Sequence, residues 1–533
     1  MIFHNLRRIC LGIFMREERI TMKQKSILKP SFNTPPESYW TASVQPPEYP
    51  QLEGDIITDV AIVGGGIAGI TTALLLKRAG VKVVVLEANI IGHGTTGYST
   101  AKITSQHGLV YKYLVDKFGF DKAKLYADAM QDAVKFIGSM VHEMNIDCGY
   151  MEVPSFVYTQ LESFIKIMEQ EADAAIQLKL PASYVADPGL PFNTKCAVRF
   201  DGQAQFHPLK YLYRLAQEIP GNGCHIFQNS RVLHLDEENL ILSTENGTVK
   251  ASAIVIATRY PFYDKPNLYF TRMTQSRSYL MAVRAAENFP DGMFISAEDP
   301  VRTFRTHYDG SSKIIIMGGT GHDTGQGDNT YLYYEDIRNY AKKVLTVTSI
   351  DYHWSSQDAI TVDSVPYIGP ISEGMKNVYV ATGFKKWGIT SGTLSGMIIS
   401  DLITRGENKY SDMFSPQRIN IAASATDFLK NNVRVAKDFI FGRLDSPDER
   451  IEDIKPGTGK IITYDKKKLA VYKDENNKIY ALDPYCTHLG CELVWNEAEK
   501  SWDCPCHGSR FSYNGQVLDT PASKPLPIIE LDD

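Results

Sequence analysis

The stretch Gly64-Gly65-Gly66-Ile67-Ala68-Gly69 constrains this chain more than any other. It follows the apolar run Val60–Val63, which reads as a buried parallel strand, and precedes a helix over Ile70–Arg78 with Ala73, Leu74, Leu75 and Leu76 as its apolar content. Gly80 ends that helix, Val81–Leu86 reads as a second strand, and Glu87-Ala88 sits at its tip. A G-x-G-x-x-G turn between strand and helix, with an acid at the end of the next strand, is a dinucleotide-binding unit. Gly64 permits the tight turn, Gly66 lets the backbone approach a pyrophosphate, and Gly69 lets helix and strand pack closely. The helix N-terminus offers N–H groups and positive dipole to phosphate. Glu87 can accept hydrogen bonds from ribose hydroxyls. A bare glycine pattern would also fit a turn with no ligand; the strand–helix–strand context argues against that here.

The 533 residues allow three or four domains at roughly 150 residues each. With 43% hydrophobic and 22% charged residues the chain can fill several cores. A net charge of −6 argues against nucleic acid as a partner, and no apolar run reaches the length of a transmembrane segment. Arg7-Arg8 before Ile9–Met15 loosely resembles a twin-arginine signal, but the apolar part is short and Arg16-Glu17-Glu18-Arg19 interrupts it. It reads as a disordered extension, with Met22 as an alternative start and a cytoplasmic location expected. Cys10, Cys148, Cys196 and Cys224 are scattered and read as ordinary thiols, whereas Cys486, Cys491, Cys504 and Cys506 crowd together near the C-terminus.

Residues 1–54, rich in Pro, Ser and Tyr, read as an extended N-terminal arm. The glycines and hydroxyls of Gly92–Thr100, Thr95 and Thr96 among them, suit a loop lying along a cofactor. Helices are expected over Phe120–Met144 and Glu162–Leu178, and strands over Val153–Tyr158, Cys224–Phe227, Ser230–Leu235 and Ala253–Thr258. Lys313–Gly321 imitates a second glycine fingerprint, but no helix opens after it, so a second site for NAD is unsupported. Val378–Gly383 followed by a helix over Ser391–Ile403 is a late strand–turn–helix that can aim at a cofactor or be ordinary packing.

In this order these pieces resemble the D-amino-acid oxidase-like family of FAD-dependent oxidoreductases. The resemblance rests on Val63–Gly69, Glu87, Thr95–Thr100, Val255–Thr258, Asp363–Gly369 and Gly383–Thr390, and covers residues 55–405. It implies a Rossmann-like α/β FAD-binding domain with an antiparallel-sheet substrate domain, the latter mainly from Val153–Arg199 and Arg272–Trp354. It implies FAD over Gly64–Gly69, with Gly64, Gly66 and Gly69 at the pyrophosphate, Glu87 at the adenosine ribose, Ala88 among the other FAD-binding residues and Val232 near the adenine. Gly383, Trp387 and Gly388 would lie near the reactive end. Members commonly oxidise a C–N bond of an amine or amino acid. Arg302 and Arg305 could anchor a carboxylate or be exposed bases on a strand; Lys102 and His107 could face the flavin or belong to a hydrogen-bonded loop; Trp354 could line a pocket or fill a core. The catalytic residues stay unassigned.

Residues 406–450 read as a bridge, with a helix over Thr426–Leu444 that suits interdomain packing better than a membrane surface. From 451 to 533 short strands between Gly, Asn and Asp turns indicate a small all-β domain. It holds Cys486-Thr487-His488-Leu489-Gly490-Cys491 and Cys504-Pro505-Cys506-His507-Gly508-Ser509. Two thiolates and two imidazoles suit a Rieske 2Fe–2S centre, with Cys486 and Cys504 on the inner iron and His488 and His507 on the outer, exposed one. Structural zinc is the rival for two Cys and two His. The two loops resemble those of Rieske proteins of the cytochrome-complex type. That resemblance implies a Cys491–Cys506 disulfide clamping the loops and a Ser509 hydroxyl directed at a bridging sulfide. Phe511 stands where a tyrosine is usual.

The combination resembles fused FAD–Rieske oxidoreductases. It implies a dehydrogenase that oxidises a small molecule and passes electrons from FAD to the Rieske centre and on to a soluble carrier or quinone. The alternative is a reductase running the other way. A Rieske oxygenase would need a further iron site of two His and one carboxylate, and no closely spaced His pair outside the loops supplies it.

Overall fold

The computed structural model describes residues 34–418 except 266 and 328, then Ser424, Phe428, Asn432 and Val435, and residues 450–531. The extension before residue 34 and most of the expected bridge helix lie outside the described residues.

The fingerprint strand, Gly54–Val63, is the centre of an eight-stranded sheet. Its residues 60–63 are buried, and Ile62 lies between Val255 of Gly247–Arg259 and Val85 of Val83–Leu86 in parallel register. The apolar runs Val60–Val63 and Ala253–Ile256 have both faces covered, which is why they lack polar alternation. His225–Phe227 and Met375–Thr382 extend the parallel part, and Tyr367–Ser372 closes one edge antiparallel. The helices Ile67–Arg78 and Gly388–Arg405 pack together over this sheet. Gly392 and Gly396 face Ile67 and Thr71 closely enough that a Cβ would meet them at 2.7 Å. Both helices therefore start from the carboxyl ends of strands, where open α/β sheets bind ligands. Ser230–Leu233, expected in a strand, is loop; only His234–Asp236 pairs, because its partner Ile241–Ser243 is that short.

A nine-stranded sheet carries the second layer, in the order Val347–Thr361, Met273–Ala285, Ser312–Asp323, Arg302–Asp309, Met293–Ser296, Met151–Thr159, Cys196–Gln205, Lys102–Ile103. It is antiparallel except where Met293–Ser296 runs parallel to Met151–Thr159. Lys313–Gly321 is a strand of this sheet and opens no helix.

The described part of the N-terminal arm is packed at residues 38–42 and runs without helix or strand from there to residue 53. Ser38 caps a short helix, Tyr39–Ala42, and Trp40 is fully buried. Its indole donates to the Ser99 carbonyl, and the ring lies 5.1 Å from the Arg305 guanidinium. An aromatic pair in a Pro-rich stretch is a packing signal that composition conceals.

The C-terminal part consists of a three-stranded sheet, Thr458–Tyr464, Lys467–Lys473 and Ile479–Leu482, and a four-stranded one from Val494–Asn496 to Val517–Asp519. Trp502, Phe511, Leu482 and Leu526 form its core together with Cys486, Cys491, Cys504 and Cys506.

Candidate functional site

A cavity of about 1000 Å3 opens at the carboxyl end of the fingerprint strand. Gly64, Gly66, Ile67 and Ala68 form its floor, where the helix N-terminus points. Gly64 has φ +111°, and a Cβ there would stand 2.5 Å from the Ala257 carbonyl. A Cβ on Gly69 would run into the Gly64 carbonyl. Gly65 and Gly69 do not line the cavity; they shape its floor. The Gly65 amide donates to Glu87 Oε2 at 2.8 Å, and the Asn89 amide donates to Oε1 at 2.9 Å. Each carboxylate oxygen keeps lone-pair capacity for a ligand hydroxyl. Burial pushes the Glu87 carboxyl up, while those two amides and the Arg231 guanidinium oppose it. Thr96 Oγ1 accepts from the Ile67 amide at 3.1 Å, replacing the side-chain cap that Gly66 cannot provide. Glu87, Ala88, Thr95, Thr96 and Val232 all line the cavity, as do Trp387 and Gly388. A glycine cradle, a helix N-terminus and a tip acid fit the diphosphate and ribose of a dinucleotide. Gly69→Val is expected to cost about 3 kcal/mol through overpacking against backbone and to give protein without flavin, read by flavin absorbance after purification.

Gly383 departs from the expected set. It does not line the cavity; with φ +73° it makes a turn that packs on Thr361. Arg302 and Arg305 do not line it either, and neither is exposed. Arg302 pairs with Asp336 at 2.7 Å, and Arg305 donates to the Ala101 and Phe206 carbonyls. His107 lies outside the cavity and stacks on Trp387 at 4.9 Å, so it supports that wall. Lys102 and Trp354 are in the wall. Lys102 Nζ donates to the Phe294 carbonyl at 2.9 Å and to Thr303 Oγ1, and burial, then Arg305, holds its pKa down to about 7. Arg259, Arg277 and Gln357 line the cavity too, and nothing in the local sequence marked them.

The two cysteine loops fold alike. The Cys486 amide donates to the Cys491 carbonyl and the Gly490 amide to the Cys486 carbonyl. The Cys504 amide donates to the Ser509 carbonyl and the Gly508 amide to the Cys504 carbonyl, with the same spacings. Gly490 and Gly508 have φ of 76° and 72°, the left-handed conformation that favours glycine at this turn. The loops bring His488 and His507 face to edge, with centroids 5.2 Å apart and planes at 88°. Cys486 and Cys504 are buried and share a hydrogen bond, which holds the Cys486 thiol down to about 6 and pushes Cys504 up. His488 Nδ1 is buried and has no hydrogen-bond partner, as an iron-facing nitrogen requires. Two paired sulfurs and two facing imidazoles fit a 2Fe–2S centre with His on one iron. Cys491 and Cys506 form a disulfide. Cys504 lies within 4.8 Å of both sulfurs, but that trio cannot hold a metal because two of its members are bonded to each other.

The sequence profile of the family FAD dependent oxidoreductase (DAO) matches residues 59–402. The chain belongs to the DAO family. The Rieske 2Fe-2S domain profile matches residues 447–530, so this DAO-family oxidoreductase carries FAD and a Rieske centre. It is 39% identical over 499 residues to the Bacillus subtilis (strain 168) protein YhfW, named for a Rieske 2Fe-2S iron–sulfur centre, covering 93% of this chain and 98% of that one. It is 24% identical over 393 residues to gamma-glutamylputrescine oxidoreductase of Escherichia coli (strain K12), covering 71% and 91%. Among solved structures, glycine oxidase from Geobacillus kaustophilus superposes with a TM-score of 0.58 at 17% identity, covering 68% of this chain and 99% of that one. That likeness concerns the fold of the DAO part alone.

The histidine edge of the Rieske loops is largely covered by the DAO part, where the sequence suggested an exposed edge, and the His488 side chain keeps 14% of its surface exposed. His507 is 7% exposed, and Phe270 of the DAO part lies 5.3 Å from its ring and 6.4 Å from that of His488. Gln275 Nε2 donates to the His507 carbonyl at 2.6 Å, and Gln357 Nε2 donates to the Gly508 carbonyl at 2.8 Å and to Gln275 Oε1 at 2.5 Å. A Cβ on Gly508 would stand 2.7 Å from the Gln275 side chain, so the contact is close-packed. Around it Arg259 pairs with Asp519 at 2.9 Å, Arg510 with Asp503 at 2.9 Å and Asp519 at 3.0 Å, and Arg277 with Glu499 at 3.3 Å. Glu499, Arg510, Leu518, Asp519 and Thr520 thereby become part of the flavin cavity's wall. Among the described residues no helix is long and apolar enough to cross a membrane.

Proposed function

We propose that this chain is a dehydrogenase that oxidises a small amine or amino acid at FAD and delivers the electrons to its own Rieske centre. One observation carries the reading: Gln357 lines the flavin cavity and hydrogen-bonds the ligand loop through Gly508. FAD, when bound, supplies two-electron oxidation coupled to one-electron transfer. Gly64, Gly66, Ile67 and Ala68 would hold the pyrophosphate, Glu87 and Ala88 the ribose, Val232 the adenine side, and Thr95 and Thr96 the flank. Trp387 and Gly388 would meet the reactive end, while Gly65, Gly69 and Gly383 keep the surrounding turns. Cys486, Cys504, His488 and His507 would hold the cluster. Residues 55–405 form the flavin module in this reading, 406–450 the bridge and 451–533 the Rieske module.

Amine chemistry is supported by the relative named for gamma-glutamylputrescine, a compound that carries a primary amine. The test is anaerobic mixing with a panel of amines, amino acids and NAD(P)H. Flavin bleaching by one of the amines is the expected result. Bleaching by NAD(P)H alone overturns it in favour of a reductase.

A further inference from the structure

Asp264 lies in the loop between Arg259 and Tyr269, on the surface of the flavin module that meets the Rieske loops. Both of its carboxylate oxygens are buried and accept no hydrogen bond. An unpartnered buried carboxylate costs several kcal/mol, so a position that keeps one has a use for it. Its Oδ2 stands 3.8 Å from His488 Nε2, outside hydrogen-bond range and inside ion-pair range. The other nitrogen of the same ring, Nδ1, is the buried one without a partner. An imidazole that gives one nitrogen to a metal commonly donates its second N–H to a carboxylate. Phe270 and Tyr260 stand beside the pair. Phe270 covers both imidazoles, and the Tyr260 phenol, pushed well up by burial and then by Asp264, gives no positive charge to neutralise the acid.

We infer that Asp264 is a positioning residue for the Rieske centre: its carboxylate faces His488 Nε2 at 3.8 Å across the module interface, and its negative charge lowers the centre's reduction potential. This rests on the reading of His488 as an iron ligand through Nδ1. The sign follows from charge. An anion beside the cluster favours the oxidised form, which is one positive charge richer than the reduced form. Burial of both carboxylate oxygens keeps that interaction from being fully screened. Because the acid belongs to the flavin module and the imidazole to the Rieske module, the effect exists only while the two are docked. Docking thus sets the potential of the centre, and an undocked Rieske module would hold its electron more tightly.

The test is a redox titration of the full-length holoprotein, followed by the electron paramagnetic resonance signal of the reduced centre. Asp264→Asn keeps the shape and removes the charge. Its centre is expected to titrate at a higher potential than wild type, with about a tenfold larger ratio of reduced to oxidised centre at a fixed poise, the size of one charge interaction at a partly buried site. Asp264→Glu restores the charge and is expected to return the potential toward wild type. Flavin, iron and sulfide contents stay at wild-type levels in both. An Asp264→Asn centre with intact iron and an unchanged potential overturns the inference, as does an Asp264→Glu centre that behaves like Asn. If Asn does not assemble, Asp264→Ser provides the neutral comparison. A wild-type protein that holds zinc in place of iron and sulfide sinks the ligand reading itself, which separates the two failures.

Discussion

A His507→Ala protein is expected to purify with its flavin and without iron or acid-labile sulfide. His507 is one of four donors, and among the described residues the sulfurs beside them, Cys491 and Cys506, are tied in a disulfide and cannot take its place. Removing the ring also takes away the partner that His488 faces at 5.2 Å and the group that Phe270 covers at 5.3 Å. The flavin should stay, because the fingerprint floor rests on a separate core built around Ile62, Ile70 and Leu74. The interface also survives, since Gln275 reaches the His507 backbone carbonyl, which alanine keeps. Cys504→Ser should lose the cluster in the same way. The expected change is from full occupancy to none, read by iron and sulfide analysis beside flavin absorbance. A His507→Ala protein with full iron would remove His507 from the ligand set. One that loses both cofactors would mean the two modules do not hold them independently.

What the sequence disclosed was local. The fingerprint is a contiguous strand, turn and helix whose glycines answer to contacts within or beside the motif, so it could be read directly. The two cysteine loops are equally short, and each carries its own Gly in the left-handed turn, Gly490 and Gly508. What stayed hidden needed a partner far along the chain. Arg302 and Arg305 stand three apart on one strand and so point to opposite faces, and the local sequence cannot tell that Asp336 covers the first and Trp40 the second. Gly383 looked like a cofactor turn because it follows a parallel strand; its constraint is the Thr361 side chain. Gln275, Gln357, Arg259 and Asp264 lie in ordinary strand and loop sequence, and gain meaning only where the Rieske loops land on them. The histidine edge was expected to face solvent for the same reason: a domain read alone shows no covering surface.

The second large effect concerns that landing. In wild-type protein mixed rapidly with a productive substrate, flavin bleaching is expected to be followed by loss of oxidised-cluster absorbance at a rate independent of protein concentration. The docked contact, not collision between molecules, then limits it. Asp519→Ala should slow that second phase most among single interface changes. Asp519 receives Arg259 on one oxygen and Arg510 on the other, so its loss leaves two guanidinium groups at the buried seam without their shared acid. Breaking such a pair costs about 3–5 kcal/mol, and the low end applies because a quarter of the Asp519 side chain is exposed. Burial pushes the Asp519 carboxyl up, but Arg259, then Arg510 and Arg277, outweigh it and hold it at about 2. A folded-state pKa below the unfolded value means a contribution fully present above about pH 4 and lost as pH falls toward 2. The wild-type second phase should therefore keep this support through neutral and mildly acidic buffers, while Asp519→Ala is slow at every pH. A wild-type second phase that scales with protein concentration would remove the intramolecular route. An Asp519→Ala protein with the wild-type rate would show that the amide pair Gln275–Gln357 and the packed Gly508 hold the modules together without the charges.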